Sequence, residues 1–248
     1  MQNWFGEYIC ATRNFLDQGF RSLPTILAGS ILILGLLQGN LNFLFFFVGL
    51  FLVAPLGALL ANGAFEFLAV NVPSWLPDWI GSFVRIPEEL WMVPQGAAEQ
   101  CSMFTPFPSS GVPGAVNAVP SYWMTIMAFF FFYMFANAYS LYTRQESSKA
   151  APEAVQARKQ QAAVGMTMIA ILGTTVSVLR YARTGCETGM GILASIVVGG
   201  LLGTGWHTFM QSCGMGRLND IFGITNRILP MQSYEEDAPV TCVPAKDS

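Results

Sequence analysis

Side chains that could carry out covalent or metal chemistry are few and widely spaced in this chain of 248 residues. His207 is the only histidine, and the nearest cysteine, Cys213, is six residues further along the chain. A zinc site needs about four ligands, and nucleophilic catalysis needs a nucleophile beside a base; neither spacing is present. We therefore predict no metal, no cofactor and no enzymatic activity. His207 is interpreted as a solvated side chain at the membrane interface, with catalysis as the alternative.

Four further polar side chains lie in or beside long apolar segments. Glu66 follows one such run, and an ionisable group within lipid is costly enough to mark an ion or proton site. Because Glu66 is near the end of its segment, we favour a position at the lipid headgroups and keep the intramembrane position as the alternative. Asn62 and Asn137 are the other intramembrane polar candidates, too few to line a solute pathway. Arg180 is interpreted as a side chain that snorkels toward the headgroups.

The composition indicates a protein that is surrounded by lipid. Only 11% of residues are charged, against roughly 25% in typical globular proteins, and 53% are hydrophobic. No charged residue occurs between Arg21 and Glu66 or between Glu99 and Arg144. The net charge of −3, without a basic cluster, argues against binding of nucleic acid. The first expected partner is the lipid bilayer, and the expected localisation is an integral membrane one.

Five apolar segments are candidates for crossing a bilayer core about 30 Å thick, which takes roughly 20 helical residues. They cover residues 23–38, 43–65, 121–143, 162–181 and 188–207. Backbone polar groups in lipid must be satisfied within the segment, so the segments should be helices. The run LNFLFFFVGLFLVAPLGALL, residues 41–60, is accordingly predicted to be a lipid-facing helix. Segment 23–38 is short, so the number of crossings is either four or five. The distribution of Arg and Lys between the two faces of the membrane favours four, whereas hydropathy favours five, and we take five.

The predicted fold class is all-α: a polytopic helical membrane protein with four to five transmembrane helices and an N-terminal interfacial amphipathic helix. Its expected parts are the amphipathic helix 1–22, a transmembrane hairpin 23–70, an external Pro/Trp-rich loop 71–119, a three-helix transmembrane bundle 120–208 with a polar connection 144–161, and an interfacial segment with a flexible acidic tail, 209–248. For the first helix, packing on another subunit is the alternative to lying in the headgroup region.

The tryptophans of the long loop, Trp75, Trp79 and Trp91, are the candidates for contact with a partner. Disordered segments are poor in aromatic residues, so their presence argues that the loop is ordered. The alternative is that these side chains only anchor the neighbouring spans at the membrane surface.

Small residues recur every four positions along the last span: Gly191, Ser195, Gly199 and Gly203. Such a face lets two helix backbones approach closely enough for van der Waals contact and weak hydrogen bonds. The preceding span offers a matching set, and the short link between the two spans predicts that they are antiparallel neighbours. That set is Ala170, Gly173, Thr174 and Ser177. The pattern leaves both intramolecular packing and a homo-oligomer open.

The order CET…GWH…NDIFGI, which begins at Cys186 and includes His207, gives the C-terminal half a resemblance to a known group. Residues of about 125–230 are similar to uncharacterised polytopic proteins of the large eukaryotic DNA viruses, which carry a lipid membrane beneath the capsid. The resemblance brings no active site. It implies a virion inner-membrane location and contact with capsid proteins through the 71–119 loop or the tail.

The expected function is that of a structural integral membrane protein, a scaffold or anchor that contacts other membrane or capsid proteins. A small-solute channel or transporter is the second hypothesis, and it requires polar groups that converge on a cavity. A membrane-embedded enzyme that uses His207 is the third, and it requires His207 to meet Cys213, Arg217 or Asp220 in a pocket.

Overall fold

The computed structural model describes residues 19–20, 22–38, 41–70, 119–144, 152–184 and 189–213, and the elements in those ranges are all helical. They are α1 (Leu23–Gln38), α2 (Leu41–Val48), α3 (Ala54–Val70), α4 (Tyr122–Thr143), α5 (Pro152–Leu179) and α6 (Gly189–Ser212). A π-helical turn, Gly49–Val53, joins α2 to α3, and another, Arg180–Thr184, extends α5. The all-α prediction is confirmed. Most of the predicted interfacial helix, the 71–119 loop and the tail lie outside the described residues.

Four helical stretches are long and apolar enough to cross a membrane: Leu41–Phe65, Tyr122–Thr143, Pro152–Ala182 and Gly189–Ser212. The remaining apolar helix, α1, has 16 residues and is therefore about 24 Å long at 1.5 Å per residue. That is shorter than a hydrocarbon core of about 30 Å. By length and composition the described residues thus hold four spans, and α1 does not support the preferred count of five.

The central helix of the bundle is α4, and α2–α3, α5 and α6 all pack on it. The α6 helix runs parallel to α4, because Ser195 lies beside Ser121 and Gly203 lies beside Phe129. The α5 helix runs antiparallel, since the Arg180 guanidinium near its end lies over Trp123 at the start of α4. Few contacts join α5 to α6, so the prediction that these two helices are packed neighbours is wrong.

Aromatic rings fill the contact between α2 and α4. Phe46 is 1% exposed and stacks on Tyr133 with ring centroids 4.2 Å apart, and Leu50 is buried one turn further along. The predicted lipid-facing helix over residues 41–60 therefore has an inward side as well. Its outward side consists of leucines at four-residue spacing, all exposed: Leu52, Leu56 and Leu60.

The break between α2 and α3 follows from Pro55. Proline has no backbone N–H to donate to the carbonyl of Phe51, and its ring crowds that carbonyl. The helix accommodates Pro55 by widening into the π-helical turn just before it, where the N–H of Ala54 donates to the carbonyl of Gly49, five residues back. The first long span is therefore interrupted near its middle.

Side chains cap both ends of α4. At the start, the Ser121 hydroxyl accepts a hydrogen bond from the backbone N–H of Met124 at 3.3 Å. At the end, Arg158 of α5 donates from its guanidinium to the carbonyl oxygen of Arg144 at 3.0 Å. A cation is favourable there because the helix dipole places partial negative charge at the C-terminus. Arg158 is 2% exposed, so this part of the polar connection is not a solvated face.

We expect the substitution Arg158→Met to lower the free energy of unfolding by about 1–2 kcal/mol, since the carbonyl of Arg144 at the C-terminal cap of α4 loses a charged donor while an apolar stem is kept. Thermal unfolding in detergent, followed by circular dichroism, measures the change. Gln160→Met is the matched control on the exposed side of α5 and should shift stability by less than about 0.5 kcal/mol. Equal shifts in the two variants would show that the cap does not stabilise the bundle.

Candidate functional site

The small-residue face of α6 is packed inside the molecule against the backbone of α4. A Cβ atom added at Gly199 would lie 2.5 Å from the carbonyl oxygen of Thr125 and 2.7 Å from the Cβ of Ala128. A Cβ atom at Gly203 would lie 2.5 Å from the carbonyl oxygen of Phe129. Gly191, the first member of the series, is also buried. The face therefore serves intramolecular packing on α4.

A hydrogen bond fixes the register of this contact. The backbone N–H of Ser121 donates to the Ser195 hydroxyl oxygen at 2.9 Å, and both residues are buried. The Ser195 hydroxyl in turn lies 2.6 Å from the carbonyl oxygen of Gly191 and can donate to it. The first N–H groups of a helix have no partner within the helix, so Ser195 satisfies a group that lipid could not.

We expect Ser195→Ala to destabilise the folded protein by about 1–2 kcal/mol, because the buried N–H of Ser121 loses its acceptor. The comparison variant is Thr208→Ala, since the exposed hydroxyl of Thr208 only bonds back to the carbonyl of Thr204 on its own helix. Unfolding of both variants in the same detergent, by heat or by chemical denaturant, gives the difference. A loss as large in Thr208→Ala as in Ser195→Ala would contradict the role of the interhelical bond.

The matching small residues of α5 do not meet α6, which corrects the predicted pairing. Ala170 and Thr174 are exposed, and a Cβ atom at Gly173 would contact the Phe131 ring of α4 at 3.3 Å. Ser177 is half-buried and donates to the carbonyl of Gly173 at 2.8 Å. The helix α4 lies between α5 and α6. Its aromatic side chains, such as Phe131, face the small residues of α5, so these residues pack on rings and not on the small residues of α6.

The small residues of α5 instead line a groove between α4 and α5. Its volume is about 390 Å³, and its lining includes Phe131, Phe132 and Phe135 of α4 and Ile196 of α6. The hydroxyls of Thr174 and Ser177 donate to carbonyls four residues earlier in α5, so they do not need a hydrogen bond from an occupant. The groove is apolar and is bordered by exposed side chains of α5.

A second polar feature lies beside the break in the first long span. The indole N–H of Trp206 on α6 donates to the carbonyl oxygen of Phe45 on α2 at 3.2 Å. The same indole packs on Gly49, the first residue of the π-helical turn, where an added Cβ would lie 2.5 Å from Nε1. Trp206 therefore holds α6 against the broken helix.

The next residue, His207, is buried within the bundle, so the interpretation of a solvated side chain is wrong. Its side chain is 3% exposed and packs edge-on to Tyr133, with ring centroids 5.4 Å apart and planes at 81°. The structure gives its Nε2 atom no hydrogen-bond partner among the described residues. Cys213 is exposed at the far end of α6, and Arg217 and Asp220 lie outside the described residues.

The other intramembrane polar candidates occupy separate places. With its amide nitrogen turned toward the start of α4, Asn62 donates to the carbonyl oxygens of Val119 and of Pro120, the latter at 3.1 Å. Asn137 is buried on α4, one helical turn beyond Tyr133. Glu66 belongs to α3, and its side chain is outside the described part of the structure.

Arg180 does not snorkel as the sequence suggested. It is 2% exposed, and its guanidinium carbon lies 4.7 Å above the centre of the Trp123 ring. Phe20, just before α1, packs on the same tryptophan with ring centroids 5.2 Å apart. A guanidinium over an indole is a favourable cation–π arrangement, especially where water is excluded. The pair thus joins the end of α5 to the start of α4.

Sequence reasoning missed several residues of these contacts, notably Tyr133, Trp206, Gly49 and Arg158. The proline in the phenylalanine-rich run was an available indication of the break, because proline interrupts the hydrogen bonds of a helix. The predicted end of the last span at residue 207 was too early, because α6 continues to Ser212. The partner-contact candidates Trp75, Trp79 and Trp91 lie outside the described residues.

Together these features define an all-α polytopic membrane protein with a closely packed α4–α6 pair and an interrupted first span. Within the described ranges, no cluster of three or more His, Cys, Asp or Glu side chains could hold a metal ion. Comparison with protein-family models, curated proteins and solved structures finds no match to the chain.

Proposed function

We propose that this protein is a structural membrane scaffold that binds partner membrane proteins through α5 and the groove beside it. The observation that supports the proposal most directly is the position of α5 at the edge of the bundle. It packs mainly on α4 and leaves large apolar side chains exposed along its length, including Val164, Met168, Ile171 and Leu172. Such a surface can receive another helix without disturbing the core.

The distribution of polar groups is in keeping with a scaffold. The small face of α6 is used within the molecule, so the homo-oligomer it suggested would have to form elsewhere on the surface. The groove that borders α5 is apolar, and neither Asn137 nor His207 lines it. Ser195 and Trp206 use their polar atoms to join helices rather than to face a solute.

The resemblance to polytopic proteins of large DNA viruses extends this proposal. In that setting the scaffold resides in the virion inner membrane and links it to the capsid. Trp75, Trp79 and Trp91 of the 71–119 loop are then the proposed contacts with capsid proteins. The result that distinguishes this version is recovery of capsid or coat proteins with the purified chain.

The experiment that tests the scaffold is purification in mild detergent, with co-purifying proteins identified for the native chain and for Thr174→Leu. The added side chain fills the groove from an exposed position, so the fold should persist while the partner is lost. Thr175→Leu, on the same helix and also exposed but absent from the groove lining, is the matched control and should retain the partner. Retention of the same partner by both variants would overturn the proposed docking surface.

A channel or transporter is the second candidate, and the break at Gly49–Val53 favours it. Interrupted helices near the bilayer midplane form the substrate sites of many transporters, and π-helical turns are frequent at functional sites. Solute flux into vesicles that contain the purified protein, abolished by Gly49→Leu but not by Thr174→Leu, would favour transport over a scaffold. An enzyme that uses His207 has less support, because the described residues place Tyr133, and no catalytic nucleophile, against its ring.

A further inference from the structure

His207 combines burial, an unsatisfied nitrogen and a position next to the interrupted helix. Its side chain is 3% exposed, and Nε2 has no hydrogen-bond partner among the described residues. A buried polar atom without a partner costs free energy comparable to a lost hydrogen bond. A residue that performed packing alone could be apolar at this position, so the imidazole calls for a role that packing does not supply.

We propose that His207 is a proton-binding site that controls the contact between α6 and the π-helical break of the first long span. When the imidazole is neutral, the bundle is closed and Trp206 donates to the carbonyl of Phe45. Proton uptake places a positive charge against Tyr133 and releases Trp206 from Phe45 and Gly49. The proton leaves a hydronium ion in water and adds to whichever ring nitrogen is unprotonated in the neutral imidazole, so that both nitrogens then carry hydrogen.

The surroundings of His207 offer little to balance that charge. From α4, the titratable group that faces it is Tyr133, whose ring packs on the imidazole. The sequences of α1, of α2 with its π-helical turn, and of α6 apart from His207 contain no titratable side chain. The helix α3, which also packs on α6, contains Glu66. Because Gly49 lies beside Trp206 and Gly57 lies beside Leu202, Glu66 is further along α3 and away from His207. In α5 no charged residue lies between Lys159 and Arg180, which are near opposite ends of that helix. A buried charge without a counter-ion is strongly unfavourable, so protonation must drive a rearrangement.

The adjacent structure provides a place for this rearrangement to occur. Trp206 precedes His207 on α6, so any movement of the histidine is transmitted to the indole through the helix backbone. The indole joins α2 through a single hydrogen bond to Phe45 and through packing on Gly49. The helix it contacts is already interrupted by the π-helical turn, and such turns can absorb a change of direction.

Because His207 is the only histidine, the proposal can be tested on the whole chain in lipid nanodiscs. Histidine labelled with nitrogen-15 reports protonation of this one residue by nuclear magnetic resonance. Fluorotryptophan gives a fluorine signal for each of the 6 tryptophans, and the signal absent from Trp206→Phe belongs to Trp206. Both signals are followed as the pH is lowered from neutral to acidic.

We expect the Trp206 fluorine signal to move with the same pH midpoint as the His207 nitrogen signal. In His207→Gln, which stays neutral, the Trp206 signal should not move over that range. If His207 gains its proton while Trp206 stays still, or never gains it while the protein remains folded, the proposal is overturned. If His207→Gln does not fold, the coincidence of the two midpoints in the unmodified chain decides the question alone.

Discussion

Replacing Gly199 by leucine is expected to separate α6 from α4 and to remove most of the folded protein. The first atom of the new side chain would lie 2.5 Å from the carbonyl oxygen of Thr125 and 3.0 Å from the backbone nitrogen of Phe129. Backbone atoms cannot rotate away as the end of a side chain can. The cost is therefore expected to exceed the usual 1–3 kcal/mol of overpacking, at roughly 3 kcal/mol or more. Yield in detergent and the unfolding midpoint measure it.

The same helix supplies the control for this experiment. Gly205 has no atom within 4 Å of the position that its Cβ would occupy, so Gly205→Leu adds the same side chain toward lipid. Both variants have equal hydrophobicity and equal helix propensity. A normal yield and an unchanged midpoint for Gly199→Leu would show that the helices are not packed as described.

The second large effect is expected for Gly49→Leu, at the break in the first long span. An added Cβ would lie 2.5 Å from Nε1 and 2.6 Å from Cδ1 of Trp206, and 2.7 Å from Cζ of Phe129. The indole would have to leave, which breaks its hydrogen bond to Phe45. Because side-chain atoms can move, we expect a smaller cost than at Gly199, about 2–3 kcal/mol. Displacement of Trp206 should appear as a shift of its fluorine signal.

Gly63→Leu is the control for this variant, since it lies on α3 of the same span and no atom is within 4 Å of its added Cβ. It should leave both the unfolding midpoint and the Trp206 signal unchanged. If Gly49→Leu behaved in the same way as Gly63→Leu, Trp206 would not be seated on the π-helical turn.

The course of the chain through the membrane could be predicted from the sequence, and the reason is specific to lipid. A segment with no charge must satisfy its own backbone, so apolar length alone indicates helices. The spans expected at 43–65 and 121–143 were found within two residues of those bounds, whereas the span expected at 162–181 begins ten residues earlier, at Pro152. Apolar length left segment 23–38 ambiguous, because a helix of about 24 Å is only slightly shorter than a bilayer core of about 30 Å.

Which helices contact each other could not be predicted in the same way. Small residues occur on both α5 and α6, and the pattern alone favoured pairing them. The outcome depended on α4, where Ala128 leaves the backbone accessible toward α6 while Phe131 covers it toward α5. The burial of His207 likewise depended on the continuation of α6 to Ser212, five residues past the expected end. Pairing and burial both arise from three-dimensional neighbours.

The parallel arrangement of α4 and α6 has a consequence for how the protein enters the membrane. Two parallel spans cannot be joined by a short turn, so α5 must cross back before α6 can reach its place. Until α6 is in place, the backbone N–H of Ser121, just before α4, lacks the Ser195 acceptor. The backbone of α4 at Thr125 and Phe129 is likewise not yet covered by Gly199 and Gly203. Completion of the bundle therefore waits for the final segment to be synthesised, and chains released before that point are the ones that quality-control proteases should recognise.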